Sequence, residues 1–186
     1  MQIMPSEIPE ILILCPSKHA DERGFFSETF RSDTLKARGV DVQFVQDNHV
    51  RSTERGILRG LHYQVPPRAQ GKLVRCVKGA ILDVAVDIRK GSPSFGRHVA
   101  VELSASNWHQ LWIPPGFAHG YVTMKEDCEV IYKVTDYYNP ECDRGIAWDD
   151  PALGIDWQLA PNEILLSSKD RQQPRLSQVD SPFHFT

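Results

Sequence analysis

The sequence predicts an all-β protein, built as an antiparallel sandwich or barrel. Several segments alternate apolar and polar residues with a period of two, the pattern of a strand that lays one face on a core. Thirteen prolines and twelve glycines divide the 186-residue chain into short pieces, and turn signals separate the alternating segments. Only one short segment has the pattern of a helix. Many short strands separated by turns are typical of sandwiches and barrels.

The first regular element along the chain is a predicted helix at Ser32–Arg38, with Ser32 as its N-cap and Gly39 as its end. The predicted strands that follow are Asp41–Val45, Lys72–Val77, Ala80–Ile88, Arg97–Leu103 and Cys128–Val134. We expect one face of each strand to lie on a core. From about Pro151 the chain is less regular, with short apolar pieces at 155–157 and 164–166. Its length favours one β-domain over residues 1–186, with a few short helices.

The composition, with 41% hydrophobic and 24% charged residues and a net charge of −3, is that of an ordinary globular protein. It argues against a disordered chain and against nucleic acid as a partner. The N-terminal residues lack the features of a signal peptide, and no stretch approaches the roughly 20 apolar residues of a membrane span. The four cysteines are scattered, which is typical of free thiols in a reducing compartment. We therefore expect a cytoplasmic protein without a membrane partner.

Two segments combine a histidine with a tight turn or with polar neighbours. Gly56–Gln64 carries Arg59 and His62, and Pro114–Gly120 carries His119. A lone histidine is more often structural than catalytic, and the polar neighbours shift that balance only modestly. A metal site needs three or four nitrogen, sulfur or carboxylate ligands, but Gln64 and residues 65–69 add no carboxylate after His62. These residues disfavour a metal and leave both roles of His62 open.

Taken together, nine blocks of the chain resemble the dTDP-4-dehydrorhamnose 3,5-epimerase family of nucleotide-sugar epimerases. The blocks are DERGFFSETF (21–30), FVQDNH (44–49), GILRGLHYQ (56–64), QGKLVRC (70–76), ILDVAVDIRKGSPSFG (81–96), QLWIPPGFAHGY (110–121), YKVTDYY (132–138), WDDPALGIDW (148–157) and LSSKD (166–170). They run in family order over nearly the whole chain, so they are far more specific than any single motif.

The resemblance implies a cupin-type β-jelly roll and a homodimer in which N-terminal strands are exchanged. It implies conversion of dTDP-4-dehydro-6-deoxy-D-glucose to dTDP-4-dehydro-β-L-rhamnose, without a cofactor, on the route to dTDP-L-rhamnose. The C4 ketone acidifies the C–H bonds at C3 and C5. Each inversion therefore removes a proton to give an enolate and returns a proton to the opposite face. Such a site needs a base, an opposed acid and a cation or donor for the enolate oxygen.

The resemblance assigns these chemical roles to four residues. His62 is the base, and Asp170 orients its imidazole and stabilises the protonated form. Tyr132 is the acid on the opposite face, and Lys72 stabilises the enolate oxygen. From the residues alone, packing remains an equally simple role for a strand tyrosine, and a solvated position for a strand lysine.

The resemblance also implies a set of residues that bind the substrate. Arg23, Arg59 and Lys169 suit the diphosphate, Tyr138 matches a ring that stacks on thymine, Phe26 lines the site, and Glu28, Gln46, Asn48 and His119 contact the nucleotide or sugar.

One binding position departs from the family pattern, because Asp143 stands where the family usually has the longer glutamate. We expect this change to alter affinity more than reaction type. Asp83, on the same strand face as Asp87, is expected close to His62 in a structural role.

Three other functions remain open from the sequence. The first is a related enzyme on the same scaffold, such as a 3-only or 5-only epimerase or a 3,4-ketoisomerase. The second is a non-catalytic cupin that binds a sugar nucleotide, although none of the residues expected to be lost in such a protein is missing. The third is a metal-dependent cupin, which Gln64 disfavours.

Overall fold

The computed structural model describes residues 1–185, and most of its strands form two facing sheets of six strands each. The first sheet contains, in spatial order, β1 (Gln2–Pro5), β2 (Leu12–Cys15), β10 (Gln110–Ile113), β7 (Lys72–Lys78), β12 (Cys128–Val134) and β5 (Gln46–Ser52). The second contains β13 (Asp143–Gly145), β6 (Ile57–Gln64), β11 (Phe117–Thr123), β8 (Ala80–Asp87) and β9 (His98–Ser104), with β14 (Leu165–Leu166) beside β6. The predicted all-β, cupin-type jelly-roll fold is confirmed.

The remaining elements lie outside the two large sheets. A separate hairpin consists of β3 (His19–Asp21) and β4 (Gly24–Phe26). The α-helix α1 spans Ser32–Lys36, and 3-10 turns occupy Pro161–Glu163, Asp170–Gln172 and Leu176–Gln178. No helix of residues 1–185 is long and apolar enough to cross a membrane.

The main core lies between the two sheets, where apolar side chains of both meet. Val74 and Val130 from the first sheet pack with Ile81, Ala85 and Leu103 from the second. The predicted strands Cys128–Val134, Lys72–Val77 and Arg97–Leu103 are confirmed, the last two within one residue at each end. Their alternation reflects one face on this core.

Strand β8 corrects the expectation that each strand buries one face only. Every residue from Ala80 to Asp87 is buried, and Ile88 lies just beyond the strand end. The outer face of the second sheet is covered by the C-terminal segment, where Leu153 and Trp157 pack near Val84. The less regular tail therefore completes a second apolar layer.

The helix and the segment after it also differ from expectation. The helix ends at Lys36 rather than Arg38, and Arg31 rather than Ser32 is the N-cap. Residues 41–45 are not a strand, because Val42 and Phe44 pack on the outer face of the first sheet around Trp112. Pairing with β12 begins at Gln46 instead.

Two glycines allow β6 and β11 to approach closely next to the two histidines predicted from the sequence. His62 pairs with His119, and the register then shifts before Tyr121 pairs with Arg59. Gly60 has φ +136°, and a Cβ there would lie 2.4 Å from the Cα of Gly120. Glycine is required at such a point. The irregularity aims both histidines and Arg59 at one side of the sandwich.

Candidate active site

Two neighbouring cavities, of about 200 and 270 Å³, open between the sheets and share His62, Lys72 and Tyr132. The first cavity is also lined by Gln46, Asn48, Tyr63, Gln64, Gln70, Tyr138, Asp143 and Lys169. The second is also lined by Val50, Arg59, His119, Tyr121, Ser167 and Asp170. Eleven of the fourteen predicted site residues therefore lie around one continuous region, drawn from distant parts of the sequence.

His62 and Asp170 form a partly buried pair at the junction of the cavities. Strand β6 carries His62, and its Nε2–H donates to Asp170 Oδ1 at 2.6 Å. Ser167 Oγ donates to Asp170 Oδ2 at 2.7 Å. Burial alone would raise the pKa of Asp170, but these hydrogen bonds lower it below its usual value. The carboxylate is thus ionised and acceptor-only at neutral pH, so Nε2 of His62 carries the hydrogen of this contact and Nδ1 is the ring nitrogen left to accept a proton.

Tyr132 projects into the same region from the other sheet. It lies on β12, whereas His62 lies on β6. Burial raises the pKa of Tyr132, although nearby Arg59 works in the opposite direction. The phenol therefore stays protonated at neutral pH. A base on one sheet and a proton donor on the other flank the cavity.

Lys72 supplies a cation to the same region, since it lines both cavities. Its Nζ donates to the backbone oxygen of His62 at 3.3 Å. Burial lowers the pKa of Lys72 to about 8, while Asp143 and Asp83 raise it and Lys169 lowers it. The ammonium is still the main form at neutral pH, in surroundings where a charge is poorly screened.

The mouth of the first cavity is built from residues of β5 and of the loop after β12. Gln46 Nε2 donates to Asn48 Oδ1 at 2.8 Å, and Tyr138 N donates to Gln46 Oε1 at 3.3 Å. The hydroxyl of Tyr138 donates to Asp143 Oδ2 at 3.1 Å, and Lys169 is paired with the same carboxylate. Tyr138 is 57% exposed, so its ring is accessible to a planar ligand.

Gln64 was noted in the sequence as a polar neighbour of His62 and as a residue that cannot complete a metal site, but not as a site residue; it lines the first cavity. Its Nε2 donates to the carbonyls of Arg68 and Tyr137, at 2.6 and 3.2 Å, and its Oε1 accepts from Asn139 N at 2.7 Å. The buried amide thus holds the loop that presents Tyr138. Among residues 1–185, no group of three or more His, Cys, Asp or Glu side chains is placed to hold a metal ion.

His119 has a carboxylate partner of its own. Its Nε2 is 2.7 Å from Asp83 Oδ1, and both side chains are buried. Asp83 was expected near His62 in a structural role, and it is hydrogen-bonded to His119, the residue that lies opposite His62 on β11. Burial lowers the pKa of His119, with Asp83 opposing that effect. Asp87, by contrast, binds Arg89, Ser92 and Ser94 away from the cavities.

The structure does not bring Arg23, Phe26 and Glu28 to the cavities of their own chain. Arg23 pairs with Asp21 on the β3–β4 hairpin, and its side chain is 83% exposed. Phe26 is 71% exposed on the same hairpin. Glu28 lies just beyond it, 3.9 Å from Arg31. These residues form an exposed arm, defined as residues 19–28.

Comparison with known proteins identifies relatives over the whole chain. The family model described as dTDP-4-dehydrorhamnose 3,5-epimerase matches residues 5–178. A dTDP-4-dehydrorhamnose 3,5-epimerase of Sinorhizobium fredii is 48% identical over 185 residues, which cover 100% of this chain and 94% of that protein.

Solved structures agree with this result. A dTDP-6-deoxy-D-glucose-3,5-epimerase from Legionella pneumophila, in complex with dTDP-4-keto-L-rhamnose, has a TM-score of 0.94 and 44% identity, covering 100% of this chain and 99% of that one. A 3′-monoepimerase from Streptomyces bikiniensis, in complex with dTDP-quinovose, has a TM-score of 0.84 and 36% identity, covering 93% of this chain and 87% of that one.

Proposed function

The chain belongs to the dTDP-4-dehydrorhamnose 3,5-epimerase family of isomerases, and we propose that its paired cavities invert C3 and C5 of dTDP-4-dehydro-6-deoxy-D-glucose. The product is dTDP-4-dehydro-β-L-rhamnose, on the route to dTDP-L-rhamnose. One observation carries the proposal: His62, hydrogen-bonded to Asp170, and Tyr132 face one cavity from opposite sheets, and Lys72 lines the same cavity.

The reaction begins with removal of a proton next to the C4 ketone. His62 Nδ1 accepts the proton from C3 or C5, and the electron pair of the C–H bond moves onto the ketone oxygen as an enolate. Asp170 stabilises the imidazolium that forms, through the 2.6 Å contact at Nε2. The Lys72 ammonium faces the developing negative charge where water is scarce.

Inversion requires the proton to return from the other side. Tyr132 gives its phenolic proton to the carbon as the enolate collapses to the ketone. The phenolate then regains a proton, and His62 loses the one it took, by exchange with solvent. The protein ends each inversion in its starting state, so the chemistry needs no redox partner. We propose that no cofactor takes part.

The first cavity and its mouth suit the nucleotide. The exposed ring of Tyr138 is available to stack on thymine. Lys169 and Arg59 provide cations for the diphosphate, while Gln46 and Asn48 offer amides to the nucleotide and His119 faces the sugar. Asp143 reaches both Tyr138 and Lys169 despite its shorter side chain. We therefore expect it to serve in place of glutamate.

We also propose a homodimer in which the exposed arm enters the partner's site. The arm pairs with neither large sheet of its own chain, and it exposes Phe25, Phe26 and Arg23. Large exposed aromatic side chains beside an arginine are typical of interaction surfaces. This exchange brings Arg23, Phe26 and Glu28 to a nucleotide held by the other subunit. We also propose that the protein is cytoplasmic, because the cytoplasm is the compartment of the nucleotide sugar on which it would act.

Mixing two inactive variants tests the exchange. His62→Ala and Arg23→Ala homodimers are each expected to be poorly active. If Arg23 acts across the interface, subunit mixing restores about a quarter of the sites, because half of the dimers are mixed and each has one intact site. The control is each variant assayed alone, at the total protein concentration of the mixture. No gain on mixing would contradict the exchange.

The experiment that tests the proposed function follows hydrogen exchange in the substrate. Metal-stripped protein is incubated with dTDP-4-dehydro-6-deoxyglucose in D₂O, and the C3 and C5 protons are followed by NMR. Loss of both signals, with dTDP-L-rhamnose formed after addition of a reductase and NADPH, supports the 3,5-epimerase. Exchange at one carbon alone would support a mono-epimerase or ketoisomerase. No exchange with dTDP still bound would indicate a binding protein.

A further inference from the structure

Two buried side-chain atoms of residues 1–185 have no hydrogen-bond partner: Tyr121 Oη and Asp83 Oδ2. Their residues lie directly opposite one another on β11 and β8. Buried polar groups in folded proteins are almost always paired, because an unpaired one costs folding free energy. An unpaired group beside a substrate cavity is explained if the ligand supplies its partner.

Of the two residues, Tyr121 is the one that lines a cavity. It belongs to the second cavity, which shares His62, Lys72 and Tyr132 with the first. Asp83 does not line either cavity, and its other oxygen is already held by His119 at 2.7 Å. Tyr121 is 4% exposed and lies opposite Arg59 on β6.

The surroundings of Tyr121 favour a hydrogen-bonding role over an acidic one. Burial raises the pKa of Tyr121 far above its ordinary value, although Arg59 lowers it. A polar contact with the Ser52 side chain also lowers the pKa of Tyr121, but this contact is too poorly aligned to satisfy Oη, which is left without a hydrogen-bond partner among the described residues. The phenol therefore keeps its proton and is suited to donate it to a ligand oxygen.

We propose that Tyr121 Oη donates a hydrogen bond to an oxygen of the hexose and thereby positions the sugar between His62 and Tyr132. The proposal rests on the proposed function, since it takes the hexose to occupy the second cavity. The sugar is favoured over the nucleotide because the groups suited to the base, Tyr138, Gln46 and Asn48, line only the first cavity. No role for Tyr121 follows from the family resemblance.

Tyr121→Phe tests the proposal, because it removes one oxygen and keeps the ring. Tyr137→Phe is the matched control: it makes the same change on a 59% exposed residue outside both cavities. Three quantities are measured for each variant and for the wild type. They are the Tm of the free protein and the calorimetric Kd values of dTDP and of dTDP-quinovose, which keeps a 6-deoxyhexose but cannot react.

The expected result for Tyr121→Phe is a Tm equal to or above that of the wild type, since an unpaired buried hydroxyl is lost. The Kd of dTDP stays within twofold, whereas the Kd of dTDP-quinovose rises about two- to tenfold, the value of one hydrogen bond. In turnover, KM for the reacting substrate rises and kcat falls, because the sugar is held less accurately. Tyr137→Phe leaves all of these unchanged.

Three results would overturn the proposal. Unchanged affinity for dTDP-quinovose means that the hydroxyl does not touch the sugar. Equal weakening of dTDP and dTDP-quinovose places the contact on the nucleotide. A lowered Tm shows that the hydroxyl has a partner within the protein. If the wild type does not exchange the C3 and C5 protons, the proposed function is wrong, which is a different outcome. The ratio of the Kd of dTDP-quinovose to the Kd of dTDP would still show whether Tyr121 contacts the sugar.

Discussion

The buried cation Lys72 makes the epimerisation rate depend on pH in a way that can be calculated. Burial lowers its pKa to about 8. A site that needs the ammonium is then roughly 91% competent at pH 7 and roughly 9% competent at pH 9, so the rate falls about tenfold between them. Tyr132 does not produce this decline, because burial moves its pKa upward from the ordinary value.

The assay is deuterium exchange at C3 and C5, measured from pH 6 to 10 after subtraction of a protein-free control. Lys72→Arg keeps the positive charge throughout this range. We expect a lower overall rate in this variant and no decline centred on pH 8. Asp143→Asn removes a negative charge that raises the pKa of Lys72, so the decline moves to lower pH. An unchanged decline in Lys72→Arg would refute the assignment of Lys72 to the enolate oxygen.

Three further predictions concern single contacts. Asp170→Asn removes the charge that stabilises the His62 imidazolium. We expect hydrogen exchange at C3 and C5 to slow roughly 10- to 150-fold, the value of a charged hydrogen bond, while the Kd for dTDP stays unchanged. An exchange rate within twofold of the wild type would exclude this role of Asp170. Tyr132→Phe should reduce inversion, read as L-rhamnose product, more than hydrogen exchange, because proton removal precedes proton return; equal turnover would remove the acid role.

The third prediction concerns the contribution of Asp87 to the stability of the fold. Hydrogen bonds from Arg89, Ser92 and Ser94 lower the pKa of buried Asp87 against the effect of burial. Its stabilising contribution is therefore present above pH 4 and lost as the pH falls through the lowered pKa. Asp87→Asn should cost about 3–5 kcal/mol in urea unfolding at pH 7, as expected when a buried ion pair loses one partner, and the difference should shrink in acid. A constant difference at all pH values would contradict this.

The strands that the sequence predicted well are those whose side chains alternate over a mostly apolar face. Cys128–Val134 has the predicted bounds. Strand β5 was not predicted, because its inward residues Gln46, Asn48 and Ser52 are polar. Gln46 and Asn48 line the first cavity, which explains why they are polar. A strand that serves a polar site loses the alternation by which strands are recognised.

The site itself was predicted through the family resemblance rather than from spacing. His62 and Asp170 are 108 positions apart, and no local pattern relates them. The pairing of His119 with Asp83 was likewise invisible, because the partner of Asp83 comes from the next strand of the sheet, 36 positions away. Arg23, Phe26 and Glu28 have no place in the site of a single chain, which is why their role depends on the proposed dimer.

The most direct test of the proton chemistry compares His62→Ala with the wild type in D₂O. General bases contribute typically 10²–10⁴-fold to rate, so exchange at both C3 and C5 should fall by about that factor. The Kd of dTDP should remain within twofold, because His62 lies at the junction of the cavities and the nucleotide groups line the first cavity and its mouth. Near-native exchange at either carbon in His62→Ala would contradict the assignment of His62 as the base.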